Sequence, residues 1–346
     1  SSTPSGKIPL MHPNIKENVS KILSFPVILG GGFVCLMVIS GVFAPYVSPV
    51  SPNTQILEYR NKPPGFSGTV LYFRYRKNLP VQSVAIRSYK KTENGIYYTD
   101  FIGRDCFLEN EKLEKEWVKS FIFILGSDQF GRDVLSRIIF GARVSLAVGI
   151  CASTLSLLIG VLLGGVAGFF GRYVENFIMR LTDIMFGFPV LLFLIAITAV
   201  FEPSLVVVFI AIGLVTWPGM ARLVRGQVLS VKSQEYVLAA RTLGMGSGRV
   251  SWKHVFPNCL SPVIVAYTLG VGSAILAEAS LSFLGLGAQP PTASWGSMIS
   301  LGKDFIRTAP WVAIAPGVAI AITVLGFNLV GDSIRDYLDP KMNSKK

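Results

Sequence analysis

The chain of 346 residues is 51% hydrophobic and only 15% charged, with a mean hydropathy of +0.53. Soluble domains carry nearer a quarter charged residues, so the composition excludes an ordinary water-soluble globule and reads as a polytopic membrane protein. The net charge of +12 raises nucleic acid as a partner, a reading that stands or falls on where the basic residues lie relative to the membrane.

In chain order, residues 1–25 form a polar tail with Lys7, Lys16 and Lys21. The apolar run from Pro26 to Tyr46 is longer than the roughly 7–15 residues of a signal-peptide core, so it is expected to stay as a first anchor over 26–46. Further apolar runs lie near 144–170, 175–201, 205–220, 261–287 and 311–332, and a spanning helix needs about 18–20 such residues. Six spans are therefore expected. The third begins amphipathically ("RYVENFIMRLTDIMFGFP") and turns apolar after Asp183; the fourth is short and contains Pro218, which neighbouring helices can accommodate.

The loop over 47–124 leaves the membrane. Its segments "TVLYFRYR" and "VQSVAIRSY" alternate apolar with polar, and "TENGIYYTDFIG" carries an Asn-Gly turn signal, so a small antiparallel sheet is expected. "ENEKLEKEWVKSFIF" (109–123) has acids early and lysines late, the spacing of a helix. This loop reads either as a solvent-facing decoration or as a docking surface for an external partner.

Orientation follows from lysine and arginine in tails and short loops. With the N-terminus cytoplasmic, the inside segments carry fifteen basic residues, among them Arg222, Arg225, Lys232, Arg241, Arg249 and Lys253, whereas the short outside loops carry only Lys303 and Arg307. The bias puts both termini in the cytoplasm. The other fifteen basic residues lie in the long loop up to residue 143, which has no vote under that rule, and the nucleic-acid reading loses its support. Cys35, Cys106, Cys151 and Cys259 are scattered and His12 and His254 lie far apart, so neither a disulfide framework nor a metal cluster is suggested.

The inside segment 221–260 contains "EYVLAARTLGMGSGRVSWKHVFPN" (235–258). Ala239 and Ala240 leave no bulk at the centre of a short helix, Gly244 ends it, Gly246 and Gly248 permit a sharp turn, and an apolar pattern resumes toward Pro257. The residues alone allow a helix lying in the headgroup layer or one seated in a groove of a cytoplasmic partner.

The segment resembles the EAA loop of ABC-importer permeases. That pattern is Glu-Ala-Ala, a glycine four residues later, and Ile-x-Leu-Pro starting ten residues beyond it. Ala239, Ala240, Gly244 and Pro257 stand at those spacings, with Leu238, His254 and Phe256 in place of the family's Glu, Ile and Leu. Glu235 and Arg241 fit the peptide-importer form "EYVxAARxLG". "LGSDQFGRDVLSRIIFGARVSL" (125–146), "EASLSFLGLGAQPPTASWGSMI" (278–299) and "GDSIRDYLDPK" (331–341) are similar to further signatures of the dipeptide/oligopeptide/nickel permeases, in the same order. The chain thus resembles the C-type, second permease subunit of that branch. In the branch a stretch like "NKPPGF" (61–66) leads almost directly to "LGSDQFGRD"; here about fifty-five residues intervene.

The resemblance implies an all-α membrane protein of six helices in the type I ABC-importer (MetI-like) permease fold. A small extracytoplasmic α+β insertion, 66–121, would stand between the first two helices. A permease core would occupy 125–341, with a tail at 342–346. It implies a heterodimer with a homologous second permease, two cytoplasmic ATPases, an extracytoplasmic substrate-binding protein and surrounding lipid, with peptides as substrate and no nucleic acid. No G-x-x-x-x-G-K-[ST] loop occurs, so the chain is expected to be no enzyme and to hold no cofactor, ATP and Mg being bound by the partner ATPases. Glu235, Ala239, Ala240, Arg241, Gly244 and Pro257 would form the ATPase-coupling loop.

Glu278 is an acid at membrane depth, where ionisable groups face the bundle interior or a watery cavity. It could line the pathway, meet the partner permease, or pack helices together through hydrogen bonds. Asp183 has Arg180 within reach one turn away. Gly160, Gly164 and Gly168 make overlapping G-x-x-x-G steps suited to close helix packing. Asp128, Arg132 and Asp133 suit a capped interfacial helix or, alternatively, extracytoplasmic docking. Two rivals belong to other classes. An ion-driven secondary transporter working through Glu278 calls for inverted repeats, which the sequence does not display. A membrane receptor or scaffold leaves the polar inside loop unexplained.

Overall fold

The computed structural model describes residues 25–74 and 79–338. Almost all of the expected N-terminal tail and the C-terminal tail at 342–346 lie outside the described residues. Helix α1, Phe25–Val42, is followed by a four-residue helix α2, Ala44–Val47, so the expected 26–46 anchor is broken near Phe43.

A five-stranded antiparallel sheet follows: β1 Phe66–Phe73, β2 Gln82–Lys91, β3 Gly95–Asp100, β4 Asp105–Glu109 and β5 Leu113–Phe123, in the order β4-β3-β2-β1-β5. The expected sheet is present. The helix expected over 109–123 is not: that stretch forms a 3-10 turn, Asn110–Lys112, and β5. The backbone of β5 pairs along β1 from Phe66↔Phe123 to Phe73↔Leu113, and this ladder outweighs the local charge spacing. Among the described residues of the loop there is no α-helix, so its architecture is β with 3-10 turns rather than α+β. The edge strands β4 and β5 are joined by only three residues, whose four Cα steps reach at most about 14 Å, whereas five flat strands would hold them about 19 Å apart. The sheet must therefore roll. Its two apolar faces separate accordingly: Leu71, Phe73, Ile86, Ile96 and Leu108 on one, Val70, Ala85 and Phe123 on the other with Ile56 and Tyr59.

Tyr59 bolts this roll to the chain that leads into it. Its ring stands edge-on to Phe66, Phe101 and Phe123, and its hydroxyl donates to Thr69 O at 2.6 Å. Burial pushes the phenol up to about 12.

The helical body comprises α3 Val134–Phe170, α4 Arg172–Phe186, α5 Val190–Val200, α6 Leu205–Lys232, α7 Glu235–Thr242, α8 Ser247–Val250, α9 Phe256–Phe283, α10 Trp295–Gly302 and α11 Trp311–Leu338. Among the described residues, α3, α6, α9 with its preceding turns, and α11 are long and apolar enough to span a bilayer. The expected third span is not one straight helix: α4 and α5 meet at 88° across Gly187–Pro189, where proline removes a helix donor. Counted as one span the pair makes five, with α1 a shorter apolar helix.

The centre of the body is α3 against α6 and α9. Val148 and Ala152 meet Ile212, Val215, Ala274 and Leu281. Gly164 lets the backbones close: a Cβ there would stand 2.9 Å from Ala221 Cα, and one at Gly168 would stand 2.8 Å from Val228 Cβ. The glycine steps thus serve the close packing expected of them. A second core joins Ala142 and Leu146 of α3 to Val271 and Ile275 of α9, Trp295 of α10, and Ile320 of α11.

Candidate functional site

Helix α7 and the turns after it hang between the ends of α6 and α9. Val237 is fully buried, with Val231 of α6, Val250 of α8 and Val255 as neighbours in one apolar cluster. Ala240 is half-buried beside them, while Glu235, Leu238, Ala239, Arg241 and Gly244 face outward. The helix ends in a Schellman motif: Met245 N donates to Ala240 O at 3.2 Å and Gly244 N to Arg241 O at 3.0 Å. Gly244 sits at φ +84° with open space where a Cβ would be, so glycine is required by conformation, not crowding. Gly246 and Gly248, expected to share the turn, are not among the positive-φ residues. The turn belongs to Gly244 alone.

After α8 the chain makes a π-helical turn, Ser251–Val255, and runs straight into α9, so Pro257 lies in that helix's first turn. Beside it Trp252 is 79% exposed and stacks edge-on against Phe256. Lys232, which the sequence reading used only for orientation, closes the end of α3: its Nζ donates to Gly168 O and Phe169 O at 3.0 and 2.9 Å, a cation on a helix C-terminus. Helix α4 is tied to α6 by Arg225–Glu175 and Arg222–Asp183, the latter at 2.7 Å. Asp183 therefore pairs across helices and not with Arg180.

Within the body, Glu278 on α9 is fully buried. Ser145 Oγ of α3 donates to its Oε2 at 3.0 Å and Ser282 Oγ to its Oε1 at 2.7 Å. Ser282 Oγ also accepts from Ala288 N at 3.3 Å, and Trp295 Nε1 donates to Ile138 O at 3.0 Å. The carboxyl thus links α3, α9 and the reversal into α10. Neither serine was singled out in the sequence: Ser282 stood in reach one turn after Glu278 on the same helix, whereas nothing marks that Ser145, 133 residues away, would meet them.

Asp128, Arg132 and Asp133 are brought together at the joint between sheet and helices, and all three are at most 4% exposed. Asp128 Oδ2 accepts from Arg132 Nε at 2.7 Å. Asp133 is the N-cap of α3, accepting from Ser136 N and Oγ at 2.7 and 2.6 Å; burial pushes its carboxyl up, against the pull of those Ser136 donors. Arg137, buried and missed by the sequence reading, reaches Pro52 O at 3.1 Å and stands 3.9 Å from Asp128. Ser127 completes the joint: it donates through Oγ to Tyr59 O, and its carbonyl accepts from Trp311 Nε1 at 3.1 Å. These side chains are turned into the joint and offer no outward surface.

Two family models match the chain. "Binding-protein-dependent transport system inner membrane component" covers residues 160–344, and "N-terminal TM domain of oligopeptide transport permease C" covers residues 27–64. The rolled sheet falls between the two matches. The dipeptide transport system permease protein DppC of Alkalihalophilus pseudofirmus is 50% identical over 219 residues, which are 63% of this chain and 72% of that one. The oligopeptide transport system permease protein OppC of Bacillus subtilis is 46% identical over 217 residues, 63% of this chain and 71% of that one. Among solved structures, the inward-facing MetNI methionine ABC transporter matches with a TM-score of 0.51 at 16% identity, over 59% of this chain and 97% of that chain. At that identity the likeness shows the fold, the MetI-like type I permease fold.

Proposed function

The chain belongs to the inner-membrane components of binding-protein-dependent transport systems, and we propose that it is the C-type permease of an ATP-driven importer of di- or oligopeptides. It pairs with a homologous second permease, two cytoplasmic ATPases that bind ATP and Mg, and an extracytoplasmic binding protein. The basic bias of the inside segments supports cytoplasmic termini. Taking α4–α5 as one broken span and α1 as another gives the six-span plan, with the rolled sheet as an extracytoplasmic insertion.

The observation that carries this reading is α7: a short helix pegged by Val237, capped by Gly244, and turning Leu238, Ala239 and Arg241 outward. A face of small and apolar residues with one cation is suited to a groove on an ATPase. Closure of the ATPases moves α7; Val237 passes the movement to α6, and α8 with the π-turn passes it to α9. Both helices run through the centre of the body, so they rock together and open the cavity alternately outward and inward. Glu278 acts as a pin between α3, α9 and α10. Asp128, Arg132 and Asp133 brace the sheet against the helices, which leaves docking of the binding protein to the sheet.

The test is mild-detergent purification of the tagged protein from its native membrane with mass spectrometry of what accompanies it. A second permease and ATPase subunits are expected. Replacing Ala240 with Trp and Gly244 with Val should strip off the ATPases and leave the second permease. A homo-oligomer that carries no ATPase at any detergent strength sinks the proposal.

A further inference from the structure

A cavity of about 320 Å³ opens between α3, α6 and α9, and it is lined in part by Ser153, Ser156, Thr216, Tyr267, Gly270 and Ser273. These residues lie within about one turn of the midpoints of their helices. No charged, histidine or cysteine side chain lines the cavity, so nothing in its wall pairs with a charge, and the thioether of Met220 is the one soft metal ligand among its lining residues. Its hydroxyls differ in what they have left to offer. Thr216 Oγ1 and Ser273 Oγ spend their protons on the carbonyls of Ile212 and Leu269, at 2.7 and 3.2 Å, and keep lone pairs free. Tyr267 and Thr154 share a bond of 3.1 Å. Ser153 is 6% exposed and its Oγ has no hydrogen-bond partner. Gly270 stands across from it; a Cβ there would be 3.7 Å from that oxygen.

A buried hydroxyl left without a partner is costly and needs an explanation. A donor that is free, set among acceptors that are free, in a site without charge, is the complement of one peptide group: a carbonyl that accepts and an N–H that donates. We propose that this cavity is where the chain contacts the peptide in transit, Ser153 donating to a backbone carbonyl and Thr216 and Ser273 accepting from a backbone N–H, with the peptide's side chains left unread. The inference rests on the peptide-importer reading above. It explains how one subunit can pass peptides of differing side chains: hydrogen bonds to the main chain hold whatever the residue, and small walls of Gly270 and its neighbours exclude little.

The experiment uses the whole importer, both permeases, both ATPases and the binding protein, reconstituted in proteoliposomes. Uptake of labelled trialanine is compared with that of trialanine methylated at both of its peptide nitrogens. Ser153→Ala should lower uptake of both about three- to tenfold, the worth of one hydrogen bond, and Ser153→Thr should restore it. Thr216→Val should slow trialanine but not the methylated analogue, narrowing their ratio; the binding protein is common to every variant, so its own preference cancels. ATP hydrolysis stimulated by the loaded binding protein should persist in each variant, which separates loss of contact from loss of assembly. Wild-type uptake in Ser153→Ala, or a Thr216→Val ratio equal to the wild type's, overturns the cavity and leaves the importer standing. A wild-type assembly with active ATPases that carries no trialanine overturns the peptide reading and this inference with it.

Discussion

Two five-residue turns in this chain have nearly the same sequence, DFIGR at 100–104 and DQFGR at 128–132, and they fold alike. In each the aspartate Oδ1 accepts from the backbone N–H two and four residues on, at 2.8–3.0 Å, and Oδ2 accepts from the arginine Nε at 2.7 Å. In each the glycine before the arginine has positive φ, +101° at Gly103 and +69° at Gly131. Only the surroundings differ. The Arg104 side chain is 73% exposed at the rim of the rolled sheet, although that of Asp100 is only 8% exposed, whereas the side chains of Arg132 and Asp128 are both 5% exposed where sheet meets helices, with Arg137 beside them. Local sequence sets the geometry of a turn, and burial sets how much that geometry weighs.

The largest expected contrast is between the aspartates. Asp128→Ala takes from Arg132 and Arg137 the carboxylate that both face in a dry joint, the breaking of a buried pair, which costs about 3–5 kcal/mol. It should lower the unfolding temperature of the purified protein by many degrees and loosen the sheet from the helices. Asp100→Ala removes the same bonds from an aspartate that is itself buried, but its arginine already stands in water, so no buried charge is stranded; the loss is that of the amide bonds alone, and the melting curve should move less. Equal shifts would show that local geometry, not burial, carries the energy.

The glycines sharpen the contrast at a smaller scale. Either Gly→Ala places a side chain at positive φ, a strain of about 1–2 kcal/mol. At Gly103 a Cβ meets nothing within 4 Å, whereas at Gly131 it would run into the backbone carbonyl of Ile56. Gly103→Ala should therefore show the strain alone, and Gly131→Ala should destabilise further because the backbone of the joint has to move. Chemical denaturation of the two variants in one detergent measures the difference, and a Gly103→Ala variant as unstable as Gly131→Ala would refute it.

The same division explains what was legible in the sequence. Apolar run lengths located the membrane helices, since hydropathy needs no knowledge of neighbours. The right-angle turn between α4 and α5 was written in Gly187 and Pro189 but hidden by apolar residues on either side. The helix expected over 109–123 had the charge spacing of one, yet β1 lacked a second partner and took that segment as a strand. The joint was harder still: "GSDQFGRD" was visible as a motif, but that its charges would be buried depends on Pro52, Tyr59 and Trp311, which lie up to 184 residues away. The free hydroxyl of Ser153 had no signal at all, because an unpartnered atom is a property of packing.

The smallest prediction concerns pH. The amide of Arg104 chiefly, with the Arg104 side chain and the Gly103 amide, holds the Asp100 carboxyl below its ordinary value of 3.8, in spite of burial working the other way. A carboxyl whose folded value is depressed binds its proton more readily in the open turn than in the closed one. Its contribution is therefore present in full above pH 3.8 and is lost as pH falls through the lower folded value. Between pH 5 and 8 the exchange protection of the Gly103 and Arg104 amides should not vary beyond the intrinsic chemical rate, and below about pH 3.8 it should decline. Asp100→Asn, which cannot titrate, should show no such decline. If the variant loses protection over the same interval, the proton acts elsewhere and the turn at 100–104 owes its order to the sheet around it, not to its own carboxylate.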